Sequence, residues 1–178
     1  LVVNLPNKKK QIIKKIKIPL LGIHNIRNSV AAAAVALTVG ITIKDIKNGL
    51  LRFKGVQRRF NKIFTFNGVN FYDDYAHHPT EIKMVLDGVS EVYKDYEKVC
   101  VFQPHRISRL RDLRKEFSFA FQKADIVILC PVYLAGEKIK LPFSYLKFAK
   151  EIIKNSKVKL FLIKDNIQLA KFIKRNIY

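Results

Sequence analysis

KVCVFQPHRISRLRDLRKEFSFAFQKADIVILC, residues 98–130, decides the fold. Two apolar runs, over 98–103 and 125–130, read as strands. The stretch 109–122 between them carries its apolar residues at helical spacing. A strand, a helix and a second strand in that order predict a parallel pair joined by a crossover. The same alternation extends on both sides. A helix is expected over 79–93 before it, and a helix over 144–154, a strand over 158–163 and a helix over 166–175 after it. The expected fold class is α/β, a Rossmann-like, mostly parallel sheet with flanking helices. Such a sheet presents ligands at the carboxyl ends of its strands.

Upstream of the alternation, Asn67-Gly68 separates two β-rich runs, 62–66 and 69–75. Both residues accept positive φ, so the dipeptide predicts a hairpin turn. Gly55-Val56-Gln57-Arg58-Arg59-Phe60 breaks the helical pattern that precedes it and marks a domain boundary near 54–61. Before that break, helices are expected over 26–38, where alanine dominates and Gly40 stops the run, and over 43–53, with Asp45 in the first turn. Residues 1–19 read as an edge strand or linker, and Leu20 to Asn25 as a strand-to-loop approach.

Among 178 residues, 49% are hydrophobic, enough for a sizeable core. Lysine and arginine total 34 against 14 acids, a net charge of +20. That excess would draw polyanions and admits a basic nucleic-acid-binding module as one reading. The lysines are spread through the chain, however, and no helix-turn-helix, aromatic RNA-binding signature or zinc finger is present. Neither a nucleic acid nor a membrane is an expected partner. The most apolar segment, Val30 to Val39, is about half the length that spans a bilayer. Cys100 and Cys130 sit inside apolar runs as small hydrophobes, which with the absence of a secretory signal points to the cytoplasm. The chain opens on Leu1, which reads as part of something longer.

Three segments carry candidate chemistry. In Gly22-Ile23-His24-Asn25-Ile26-Arg27-Asn28, Asn25 is placed to cap the first helix and Asn28 lies one turn on; an asparagine amide matches the edge of adenine. Asp73-Asp74-Tyr75-Ala76-His77-His78-Pro79-Thr80-Glu81 stands where a strand ends and a helix begins. Pro79 suits the first helical position, and Glu81 complements the helix start. Neighbouring side chains at a strand end diverge, so a ribose or carboxylate suits this loop better than zinc. In Phe102-Gln103-Pro104-His105-Arg106-Ile107-Ser108-Arg109, three potential cations crowd a helix start. Cations are unfavourable there by about 0.3–1 kcal/mol, which suggests a partner anion. Arg58 and Arg59 lie at the boundary, where a guanidinium can hold a phosphate with paired donors.

GxHNxxN, GVxRRF, DDYAHHPTE and FQPHRxSR occur in this order and spacing from about Leu20, and Tyr133-Leu134-Ala135-Gly136-Glu137 extends the match. The chain thereby resembles the UDP-N-acetylmuramate–L-alanine ligases of the Mur ligase family. The resemblance implies that residues 1–58 are the C-terminal part of a central ATP-binding domain and 59–178 a Rossmann-like C-terminal domain, shortened at its end. His24, Asn25 and Asn28 match the adenine-side motif. Arg59 matches the arginine that reaches the ATP phosphates, and Asp74 the aspartate that holds the ribose. Tyr75, His77, His105, Arg106 and Arg109 match positions lining the pocket for the muramoyl and alanine groups. The implied reaction phosphorylates the lactyl carboxylate of UDP-N-acetylmuramate with ATP and gives the acyl phosphate to the amine of L-alanine. A murein-tripeptide recycling ligase acting on the same UDP-sugar is the nearest alternative, but it carries a different loop at Phe102–Arg109.

No glycine of the seven begins a GK[ST], so the loop that cradles phosphates is absent from these residues. The family's Mg²⁺ ligands are likewise expected in upstream domains of the same enzyme, leaving no metal ligand expected in this chain. The purified chain should therefore release no phosphate from ATP in response to alanine. A phosphate-release assay checks this, and supplying the upstream domains in one polypeptide should restore turnover.

Overall fold

The structure is a computed structural model that describes residues 2–4, 10–20, 22–138 and 143–176. The chain divides after Gln57 into two compact units.

In the first unit, β1 (Val2–Asn4) and β2 (Lys10–Ile12) pair antiparallel. The expected edge strand or linker over 1–19 is thus a short ribbon, though 1 and 5–9 lie outside the described residues. The expected approach to the first helix likewise falls outside them at Leu21. α1 (Ile23–Thr38) begins three residues earlier than the alanine run suggests. Gly22, at φ 86°, occupies its cap position, and no side chain caps it. Asn25 is therefore inside the helix and is not its cap. α2 (Ile43–Arg52) starts at Thr42, whose Oγ1 accepts the Asp45 N–H at 3.1 Å. Ile13, Ala33 and Ile46 are buried together, with Leu37, Ile43 and Leu50 packed around them.

The second unit opens with β3 (Asn61–Phe66) and β4 (Val69–Asp73), an antiparallel hairpin. Its turn residues Asn67 and Gly68 both have positive φ, 46° and 78°. They follow the asparagine–glycine pattern of the expected turn. α3 (Pro79–Val92) has proline at its first position and a reciprocal capping box between His78 and Glu81. Next come β5 (Val99–Phe102), α4 (Ile107–Asp112), α5 (Arg114–Phe119) and β6 (Ile126–Leu129). α6 (Tyr145–Ser156), β7 (Lys159–Leu162) and α7 (Asn166–Asn176) complete the order. β5, β6 and β7 form a parallel sheet in that order, with Phe102 opposite Leu129 and Leu129 opposite Leu162.

The single helix expected over 109–122 is two short ones, broken at Leu113 (φ −110°, ψ 26°). Hydrophobic spacing carries no mark of the break, because Leu110 and Phe117 on either side of it are both fully buried. Phe117, Phe121 and Phe148 join Val127, Leu129 and Ile152 in the core between helices and sheet. α5 is pinned to α6 by polar bonds as well. Ser156 Oγ donates to Ser118 O at 2.7 Å, Asn155 Nδ2 donates to Ser118 Oγ at 2.8 Å, and Arg114 grips Glu151 with two bonds of 2.6 and 2.9 Å. A cavity of about 470 Å³ borders this core between β5, the hairpin and α3, lined by Phe60, Tyr72, Val89, Tyr93 and Cys100.

Phe117 is 1% exposed and Val101 46%. Phe117→Ala should cost about 3–5 kcal/mol of unfolding free energy, the range for emptying a buried aromatic site. Val101→Ala should cost much less. Urea denaturation midpoints compare the two.

Candidate functional site

The loop leaving β4 is held by its own acids. Asp74 Oδ2 accepts the Phe60 N–H and Oδ1 the Ala76 N–H, both at 2.7 Å. The Tyr75 N–H donates to Arg58 O at 2.8 Å. These bonds fasten the Arg58–Phe60 segment beside the end of β4 and hold Arg58 and Phe60 at φ 58° and 50°, a region non-glycine residues seldom adopt. Phe60 stacks on Tyr72 at 4.4 Å. The two arginines diverge: Arg58 pairs with Asp73 at 3.5 Å and lies 4.6 Å over the Tyr75 ring, whereas Arg59 reaches Glu81 Oε1 at 3.6 Å.

Glu81 gathers more of the loop than its expected role at the helix start implied. Its Oε2 accepts the N–H groups of His77 and His78 at 3.0 and 3.1 Å. Burial alone would raise its pKa. The two backbone bonds, with the charges of His77 and Arg59, turn the net shift downward. His77 Nδ1 lies 2.9 Å from Tyr75 O, and His78 Nδ1 accepts the Thr80 N–H at 3.3 Å. Asp73, Asp74, His77 and His78 thus each have a separate partner. Among the described residues, no group of three or more His, Cys, Asp or Glu side chains gathers as a metal ion would require.

The loop leaving β5 meets the first one. His105 stacks on His77 with centroids 5.9 Å apart and meets Tyr75 edge-on at 5.9 Å and Tyr133 edge-on at 5.3 Å. Tyr133, from the loop after β6, is a member of this cluster that the candidate residues did not include. Burial lowers the His105 pKa below its ordinary value, and the charges of His77, Arg109 and Arg58 lower it further. The shift favours the uncharged imidazole at His105, between the permanently charged Arg106 and Arg109. Arg106 is exposed, at the cap position of α4, and Arg109 is half-buried in its first turn. The anion at that helix start comes from the chain itself: Glu137 accepts the Ser108 N–H at 3.2 Å and the Ser108 hydroxyl. No single short motif could have shown that bond, because it spans two loops.

In the first unit, His24 packs against Gly22 so closely that a Cβ there would stand 2.7 Å from the imidazole. His24 Nε2 lies 3.1 Å from Asn25 Nδ2, and His24 Nδ1 is buried with no hydrogen-bond partner among the described residues. If the Asn25 amide donates, Nε2 is bare and Nδ1 carries the proton. Asn28 is exposed on α1. Among the described residues, no helix is long and apolar enough to cross a membrane.

A family profile described as Mur ligase, glutamate ligase domain, matches residues 58–174. The UDP-N-acetylmuramate–L-alanine ligase of Pelagibacter ubique is 68% identical over 178 residues, all of this chain and 38% of that protein. The enzyme of the same name from Brachyspira hyodysenteriae is 47% identical over 127 residues, 71% of this chain and 27% of that one. The crystal structure of the UDP-N-acetylmuramate–alanine ligase of Thermotoga maritima superposes with a TM-score of 0.71 at 26% identity. It covers 96% of this chain and 37% of its own. A murein peptide ligase from Psychrobacter arcticus shares the fold, with a TM-score of 0.65 at 21% identity, over 94% of this chain and 35% of its own. The chain thus spans well under half the length of the relatives it matches.

The capping role of Glu81 is testable by pH. Its lowered folded-state pKa means that its contribution is present above the ordinary carboxylate range and is lost as pH falls through the folded value. Glu81→Ala should cost roughly 0.5–2 kcal/mol near pH 7, the range for losing a helix cap. The difference from the unsubstituted chain should shrink toward acid pH in urea titrations.

Proposed function

The chain belongs to the Mur ligase family, and from that premise we propose that it is part of an ATP-dependent ligase joining L-alanine to UDP-N-acetylmuramate. In this reading, residues 1–58 complete the central ATP-binding domain, and 59–178 form the C-terminal domain that presents the amino acid. The convergence of His105 with Tyr75 and His77 at one rim carries the reading. The 68% identity to an alanine-adding relative supports alanine over a tripeptide as acceptor. Likeness to the murein peptide ligase is of fold alone. The +20 charge is the one feature that favours a nucleic-acid partner. We assign the reaction to the cytoplasm, a reducing compartment that suits two free cysteines.

Each residue has a task its surroundings suit. The His24 imidazole and the amides of Asn25 and Asn28 hold the adenine. His24 Nδ1, which lacks a hydrogen-bond partner among the described residues, is the one of these groups left for a ligand to satisfy. Asp74 spends one lone pair of each oxygen on the backbone and keeps others for the ribose hydroxyls. Arg59, half exposed and tethered at one edge by Glu81, turns its remaining guanidinium donors to the phosphates and stabilises charge as the phosphoryl group moves to the lactyl carboxylate. Arg106 and Arg109 hold the anionic groups of the muramoyl and alanine moieties. Tyr75, His77 and His105 shape the pocket where the alanine amine attacks the acyl phosphate. The Mg²⁺ that the resemblance implies would be held by ligands in the upstream domains and would offset charge on the phosphates.

The two neighbouring arginines separate this reading from a solvated boundary. In a polypeptide that includes the upstream domains, Arg59→Ala should lower kcat by about 10³–10⁵, the range for arginines that neutralise a transferring phosphoryl group. Arg58→Ala should do much less, since Arg58 is engaged by Asp73 and Tyr75. Equal, mild losses in steady-state kinetics would contradict the assignment.

A further inference from the structure

Leu134-Ala135-Gly136-Glu137 makes an unusually forced turn after β6. Ala135 and Gly136 are both left-handed, at φ 51° and 82°, and the Glu137 N–H closes the turn onto Leu134 O at 3.0 Å. An alanine in that region is strained, and such strain persists only where the surroundings hold it. The turn brings the Glu137 carboxylate back to Ser108, which gives it both its N–H, at 3.2 Å, and its hydroxyl. At its other end the same loop is stitched to the β5 loop by backbone bonds. The Tyr133 N–H donates to Pro104 O at 2.8 Å, and the Arg106 N–H donates to Tyr133 O at 2.9 Å. Between the two fastenings stand His105 and Arg106, and Arg106 is itself left-handed at φ 68°.

A carboxylate on a hydroxyl near the surface contributes little to global stability. Its effect is geometric: it closes a ring in which two strained residues, Arg106 and Ala135, are held on opposite loops. We propose that Glu137 is a positioning residue, whose grip on Ser108 locks the loop after β6 onto the loop after β5 and so fixes Tyr133 against His105 and aims Arg106. That this serves catalysis rests on the reading that the rim receives the muramoyl and alanine groups. The lock itself needs no substrate and can be observed in the 178-residue chain.

The experiment compares the unsubstituted chain with Glu137→Ala, Glu137→Gln and Ser108→Ala by NMR. It follows the imidazole resonances of His105 and His77 through a pH titration. Glu137→Ala should move the His105 ring signals, which sense the stacked His77 and the edge-on Tyr133, and should displace its titration midpoint. Core amides of Val127 and Leu129 should stay in place. Glu137→Gln, which keeps one acceptor oxygen, should fall between. If Glu137→Ala does not fold, Ser108→Ala removes the hydroxyl bond alone and should give the same change at smaller size. An unmoved His105 in a folded variant overturns the proposal. In a polypeptide with the upstream domains, Glu137→Ala should lower kcat/KM for alanine by about tenfold to a hundredfold through misplacement. The KM for ATP should change less than about twofold, since the lock does not touch the nucleotide groups. An unchanged kcat/KM for alanine, or an equal loss for ATP, would again overturn it. Should the unsubstituted polypeptide lack alanine-dependent turnover while the NMR shifts appear, the ligase reading fails and the lock stands.

Discussion

Parallel pairing of β5 with β6 is the constraint on which the rim depends. Parallel strands leave a sheet at the same end, so the loops that follow them start as neighbours whatever their sequences. In this chain the pairing also outlasts the strands. The Cys130 N–H still reaches Phe102 O at 2.9 Å, Tyr133 reaches Pro104, and Arg106 reaches Tyr133. His105 is carried to its place by this ladder, and meets Tyr75 and His77 because β4 ends at the same rim. Beneath it, Phe102 and Leu129 are buried in the core that orders both strands. Chemistry at the rim is therefore only as precise as packing behind it.

In a chain with 34 basic residues against 14 acids, acids are scarce. At the rim they are used for construction. Asp74 secures two backbone N–H groups, Glu81 two more together with Arg59, Asp73 takes Arg58, and Glu137 takes Ser108. Each carboxylate settles a loop while its partner charge or dipole lies within the same loop pair. Arg106 and Arg109 remain to give the mouth a positive character suited to anionic ligands. At His105, burial and the neighbouring charges of His77, Arg109 and Arg58 disfavour the protonated ring.

The features legible in the sequence were those fixed by short-range chemistry. Asn67-Gly68 demands a tight turn, Pro79 and Glu81 mark a helix start, and alternating apolar runs imply the crossover sheet. What escaped either left no trace in the apolar spacing or was set by contacts between distant residues. Asn25 looks like a cap because asparagine is a good one, yet Gly22 opens α1 earlier and the Asn25 side chain turns to His24. Leu113 breaks a helix whose buried face continues unbroken. Tyr133 and Glu137 join the rim only once β5 and β6 are paired. The downward shift at His105 depends on burial and on charges from three loops, which no motif records.

Amino-acid choice tests the account most directly. The chain should be joined to the upstream domains, and ATP-dependent phosphate release with UDP-N-acetylmuramate measured against either L-alanine or a murein tripeptide as sole acceptor. The account predicts turnover that requires alanine and little response to the tripeptide. Efficient ligation of the tripeptide with no response to alanine would contradict it.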